Sequence, residues 1–266
     1  MHAGSIGAVT SADGTVLAFD RLGDGPPVIM AAGAFNDRGT TAPLSRALAQ
    51  RCRVLNYDRR GRGGSGDTAP YAVQREIEDL AALIGHAGRD VAVFGYSSGA
   101  NLALRAAAAG LPIGRLVLYE PPYNAHDDDP RLPADLSARL AELVAAGRRG
   151  DAVELYQTVA VGIPEPVVAQ LREAPFRPAL EAIAHTLAYD AAILGDRSLP
   201  SAMLAAVRIP TLVICGDRSV PFLRSAAHAV AATLPDARLT TLADQSHDID
   251  PTTTAAAMTA FLTGAR

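Results

Sequence analysis

The residues best suited to chemistry are Gly95-Tyr96-Ser97-Ser98-Gly99, a serine framed by glycine two positions before and two after it. The apolar run Val91–Phe94 precedes them and the Ala-rich run Ala100–Ala109 follows. A serine on so tight a strand-to-helix turn needs small neighbours, because the backbones crowd there. The turn projects the Ser97 hydroxyl above the strand ends. It also sets the Ser98 backbone N–H at a helix start, where partial positive charge favours an oxyanion. The chemistry implied is nucleophilic attack on a carbonyl carbon.

Holding such a turn requires a sheet with helices packed on it. Short β-branched runs alternate with longer Ala/Leu-rich stretches of helical period, the pattern of a mostly parallel sheet covered by helices. Strands are expected at Ile6–Thr10, Val16–Asp20, Val28–Ala32, Arg53–Tyr57, Val91–Phe94, Leu116–Tyr119, Thr211–Cys215 and Arg238–Leu242. The Asp13-Gly14 step joins the first two as a hairpin. Helices are expected at Thr41–Gln50, Val73–Ile84, Ser98–Ala109, Phe222–Thr233 and Thr253–Leu262, the last started by Pro251. From Pro121 to about Val207 no strand is expected. Helical stretches there, Ala138–Ala146, Ala152–Val161, Pro166–Glu173 and Leu180–Ile193, are separated by Pro and Gly. The organisation expected is a core of residues 1–120 and 208–266 with a helical cap inserted at 121–207.

With the loop Tyr57-Asp58-Arg59-Arg60-Gly61-Arg62-Gly63-Gly64-Ser65-Gly66 added to the serine turn, the chain resembles the α/β-hydrolase superfamily over nearly its whole length. More narrowly, that Arg-rich loop, the Ser-Ser-Gly turn and Leu118-Tyr119-Glu120-Pro121-Pro122 resemble small actinobacterial serine hydrolases and esterases. The resemblance implies an α/β-hydrolase fold with a helical cap and a Ser-His-acid triad. It places the general base just past the last strand, where His247 alone of the six histidines stands. It draws the second oxyanion donor from the loop after Val28–Ala32. That loop reads Ala32-Gly33-Ala34-Phe35 where members usually show His-Gly, so the Ala34 N–H is the expected donor and Phe35 a pocket wall.

The acid stays open between two positions. Members usually carry Asp three residues beyond a Gly after the penultimate strand, yet Gly216-Asp217-Arg218-Ser219 puts Ser219 at that offset. A shortened loop would align Asp217 instead. Some members move the acid to the neighbouring strand end, where Glu120 stands, and Glu is long enough to reach the far nitrogen of His247. Glu120 is favoured, with Asp217 as the alternative and Asp248 or Asp250 behind them.

Other clusters carry blander readings. The arginines of Asp58–Arg62 could grip an anion, but pairing with helix-end carboxylates explains them as well. His126-Asp127-Asp128-Asp129 reads as a solvated loop, since no second cluster has ligand spacing, and no metal or cofactor is expected. Tyr96, Tyr123, Phe176 and Tyr189 are candidates to line the pocket, or else part of the cap's own core.

Composition sets the outer limits. The chain has 266 residues, 49% apolar, with a net charge of −4; all 24 basic residues are Arg, and there is no Trp. Spread-out basic residues in an acidic chain argue against nucleic acid as partner. No apolar stretch reaches the ~18 residues of a membrane span. Met1–Asp20 is not read as a secretory signal, and two cysteines in apolar runs suit reduced core thiols, so a cytoplasmic location is expected. The function expected is hydrolysis of an ester-like bond (carboxylic ester, lactone or thioester) in a small, largely apolar substrate. Two other classes stay open on the same residues: a non-hydrolytic lyase, cyclase or cofactor-free peroxidase, and a ligand-binding protein with a degraded triad.

Overall fold

A computed structural model describes residues 4–264; His2 lies outside them. Its strands are β1 (Ser5–Thr10), β2 (Val16–Leu22), β3 (Pro27–Ala31), β4 (Arg53–Tyr57), β5 (Val91–Tyr96), β6 (Ile113–Tyr119), β7 (Thr211–Gly216) and β8 (Ala237–Leu242). They form one sheet in the order β1-β2-β4-β3-β5-β6-β7-β8. β2 is antiparallel to both its neighbours, and every other pairing is parallel. All residues of β3, β5 and β7 are buried, as strands covered on both faces must be. The more polar Ala237–Leu242 run is an edge strand, as its composition predicts.

Alternate residues of each strand point into different cores. Ile29, Leu55, Val93 and Leu118 pack on one side with α2 (Val73–Ala87), α3 (Ser98–Ala108) and α10 (Pro221–Thr233). Val28, Val54, Phe94 and Tyr119 pack on the other with α1 (Arg38–Leu48) and α11 (Pro251–Thr263). β5 lies inside the sheet between β3 and β6, so whatever follows it is held from both sides. Both cysteines are free and buried. Among the described residues no helix is long and apolar enough to cross a membrane.

Between β6 and β7 the chain forms α4 (Leu136–Ala145), α5 (Arg149–Leu155), a π-helical turn (Tyr156–Val161), α6 (Glu165–Gln170), α7 (Arg177–Ala182), α8 (Leu187–Leu194) and α9 (Ser201–Ala206). Leu136, Leu140, Val153, Tyr156 and Leu187 give this region a core of its own. Leu204 of α9 and the following Val207 pack instead in the sheet core. The stretch Leu180–Ile193, expected as one helix, is broken by a 3-10 turn at Ala184–Thr186. Two interactions end α7 there: Arg149 donates to the Glu181 and Ala182 carbonyls, and the Thr186 hydroxyl takes the Ile183 carbonyl.

His185, in that break, stands where the cap meets the core. Its Nε2 is 3.8 Å from the Asp67 carboxylate and its Nδ1 3.1 Å from the Arg149 guanidinium. Burial, helped by the charges of Arg149 and Arg62, pushes the imidazole below its ordinary value against the pull of Asp67. The unfolded chain therefore takes up a proton that the folded chain resists, so stability should fall as pH drops below about 6.5. The drop in melting temperature between about pH 7.5 and 5.5 should be smaller for His185→Gln than for wild type. Equal drops in the two proteins would refute it.

Candidate active site

The turn between β5 and α3 holds Ser97 at φ 54° and ψ −123°, a left-handed conformation that costs a non-glycine residue roughly 1–3 kcal/mol. Its amide donates to the Tyr119 carbonyl at 2.9 Å and its carbonyl accepts from Ala100 at 2.8 Å, which fixes the strained turn from both ends. The two glycines are required by contact. A Cβ on Gly95 would lie 2.5 Å from the Ala100 Cα, and one on Gly99 would strike the Ala31 carbonyl oxygen. Ser97 itself is half-buried, and its hydroxyl has no hydrogen-bond partner among the described residues. Such contacts often tighten only when substrate binds.

His247 lies in the loop between β8 and α11, and its Nδ1 is 2.5 Å from the Glu120 Oε2. Glu120, the residue after β6, is fully buried. Its other oxygen accepts from the Gly216 amide at 2.8 Å and from the Ser219 hydroxyl. Both carboxylate oxygens thus have fixed partners. The histidine loop is held from below by two tyrosines. Tyr96 donates to the His247 carbonyl at 3.1 Å, with its ring 4.9 Å from the imidazole. Tyr119 donates to the Ser246 carbonyl, also at 3.1 Å.

Asp217, the alternative acid, is exposed, and among the described residues its carboxylate makes no contact with His247. Its amide continues the sheet to Leu242, and its carbonyl accepts from Arg224. The physical reason is that β6 and β7 are neighbours, so the end of β6 already delivers a longer side chain to the histidine. Ser219 occupies the offset where an aspartate was expected and donates to that side chain. Its supporting role was not anticipated; the polar residue left at that offset was the available signal.

A second buried assembly underlies the Ala32–Asn36 loop. Arg59 pairs with Glu76 and with Asp190 of α8, both at 2.7 Å, and Arg62 pairs with Asp190 at 2.6 Å. Asp190 also accepts from the Ser98 hydroxyl at 2.8 Å. Burial alone would raise the Asp190 carboxyl, but the charges of Arg62 and Arg59 outweigh it and hold the group below the usual carboxylate range. The arginines then reach the loop backbone: Arg59 donates to the Ala32 carbonyl at 3.2 Å and Arg62 to the Gly33 carbonyl at 2.5 Å. A trans peptide points its C=O and N–H in opposite directions, so binding the Gly33 carbonyl turns the Ala34 N–H away from Arg62. Among the described residues neither that N–H nor the Ser98 N–H has an acceptor. The Arg-rich loop is thus taken up by carboxylates, Arg60 included, through Asp79 and Asp13.

Phe35, at φ 62°, packs edge-on against Tyr156 of the cap with ring centroids 5.4 Å apart. Tyr123, expected to contact substrate, is instead buried in the sheet core, where burial pushes its hydroxyl up to about 12. It follows Pro121 and Pro122 into the interior, so its ring forms part of the packing. Tyr96 is likewise buried, and it acts on the histidine loop. Phe176 is half exposed on the cap surface, and Tyr189 stacks on Tyr71 at 3.8 Å. Among the described residues no cluster of three or more His, Cys, Asp or Glu could hold a metal ion.

The model of the alpha/beta hydrolase family matches residues 28–260. The structure is similar to that of an alpha/beta hydrolase from Sphaerobacter thermophilus, with 51% identity and a TM-score of 0.89, covering 96% of this chain and 99% of that one. In an alignment of 247 positions that covers 86% of this chain, it is 28% identical to a polyketide synthase of Burkholderia thailandensis. It is 33% identical over 95 residues, 35% of its length, to a putative carbamate hydrolase of Azorhizobium caulinodans. The chain spans 11% of the first of these two relatives and 36% of the second. Sheet order, strained serine turn and family match agree, and the chain belongs to the alpha/beta hydrolase family.

Proposed function

We propose that the protein is a serine hydrolase acting on an ester-like bond through Ser97, His247 and Glu120. The observation that carries this reading is the Glu120 carboxylate at 2.5 Å from His247 Nδ1, in a chain whose Ser97 sits on a strained strand-to-helix turn. With Nδ1–H donated to Glu120, the lone pair of His247 is left on Nε2, the form a general base needs. Nε2 takes the Ser97 proton as Oγ attacks the carbonyl carbon. The resulting oxyanion is met by the N–H groups of Ser98 and Ala34. Collapse expels the alcohol or thiol, which leaves with the proton held on His247. Water then attacks the acyl-enzyme with His247 again as base, releasing the acid and restoring Ser97.

Intact-mass measurement after incubation with a fluorophosphonate tests the nucleophile. A single adduct that Ser97→Ala abolishes is expected. An unmodified protein, or an adduct that survives the substitution, would overturn the assignment. Product masses from a panel of esters, lactones, thioesters and carbamates then separate hydrolysis, which adds water, from rearrangement or elimination.

A further inference from the structure

We propose that Arg197 is the docking group for a carboxylate on the substrate, so that the protein acts on esters that carry a free acid at one end. The proposal rests on the reading of Ser97 as the reactive centre and adds the class of substrate it serves.

Arg197 lies in the connection between α8 and α9. Beside it the half-buried Asp196 carboxylate accepts from both Ser198 and Arg131. Arg197 takes no part in those hydrogen bonds. Its guanidinium carbon is 5.3 Å from the centre of the Phe222 ring, and the Tyr156 phenol is a further neighbour. Each of these two aromatic residues is linked to a different part of the site. Phe222 comes three residues after Ser219, which touches Glu120, while Tyr156 packs on Phe35 beside Ala34.

Among the described residues Arg197 has neither a counter-charge nor a carbonyl to donate to, whereas the other half-buried arginines without an ion pair, Arg53, Arg105, Arg115 and Arg149, each donate to a backbone carbonyl. Arg38, Arg59, Arg60 and Arg62 are each matched by carboxylates. Arg197 is half-buried, its Nε is closed off from solvent with no acceptor, and among the described residues it forms no ion pair. Removing a cation from water without a partner is unfavourable, and buried charges are ordinarily paired. Burial pushes the group below its ordinary value, as that cost requires.

The backbone is also held against its preference. Arg197 has φ 66°, a left-handed conformation, pinned by its amide on the Leu194 carbonyl and its carbonyl on the Asn124 amide. Strain of this kind persists where the surroundings fix a side chain in one place. A planar fork of donors beside an aromatic ring suits a planar carboxylate, which would supply the missing charge.

Ligand-observed NMR on the Ser97→Ala protein tests the proposal without requiring turnover. Monomethyl glutarate, which carries one carboxylate, should bind at least about tenfold more tightly than dimethyl glutarate, the difference of one charge-assisted contact. Arg197→Met in the same background should erase that preference, and Arg197→Lys should keep part of it. Equal affinity for the two esters, or a preference that survives Arg197→Met, would overturn the proposal. If Arg197→Met does not fold, Arg197→Gln serves for the same comparison. Failure of the hydrolase reading shows separately, as the absence of a fluorophosphonate adduct on Ser97.

Discussion

Glu120→Gln should lower kcat by about 10⁴-fold, the scale of loss when the acid of a serine triad becomes an amide. The cause is a change of tautomer. The Gly216 amide and the Ser219 hydroxyl would capture the oxygen of the new side-chain amide, since both now donate to Oε1 of Glu120. The NH₂ of that amide would then face His247 Nδ1 and donate to it. That forces the imidazole proton onto Nε2, where a lone pair is needed to accept from Ser97. Asp217→Asn should change kcat by no more than about twofold, since its side chain is exposed and contacts neither His247 nor Glu120 among the described residues. Steady-state kinetics on the two variants, with active sites counted by fluorophosphonate, decide between them. A large loss in Asp217→Asn with little in Glu120→Gln would reverse the assignment.

Asp190→Ala should have the largest effect on stability. Asp190 is fully buried and neutralises Arg59 and Arg62 together, so its removal leaves buried positive charge uncompensated, at about 3–5 kcal/mol. Because its carboxyl is held below the usual range, the stabilisation is complete at neutral pH. It is lost only as pH falls below the unfolded value of about 3.9 and on through the folded one. The same change should reduce kcat, because Asp190 anchors the Ser98 side chain and, through Arg62, the peptide that presents the Ala34 N–H. Denaturant titration at neutral pH measures the first effect. A loss under about 1 kcal/mol would mean that water reaches the two arginines and replaces the carboxylate.

What the sequence made legible follows from the range of the interactions involved. The Ser97 turn is a local device: its crowding, and the glycines that relieve it, lie within five residues. The strands were readable for a similar reason, since each fully buried one is a continuous apolar run. The acid was legible only as a preference for Glu120 over Asp217, with Asp248 or Asp250 behind them. Which of them faces His247 depends on the ends of two adjacent parallel strands and on a loop some 127 residues further along the chain. Asp190 was not found at all, because its partner Arg59 is 131 residues away and nothing in its own helix marks it. The cap was hardest to read. Its helix ends are set by distant side chains such as Arg149, which overrode a continuous helical pattern from Leu180 onward.

The most direct measurement of the central claim is a rapid-quench single turnover with a p-nitrophenyl ester, read by peptide mass. The account predicts an acyl group on the Ser97 peptide that forms at the rate of the nitrophenol burst, decays as the free acid appears, and is missing from Ser97→Ala. Product release without any acylated Ser97 peptide, or acylation of another residue at the burst rate, would contradict it.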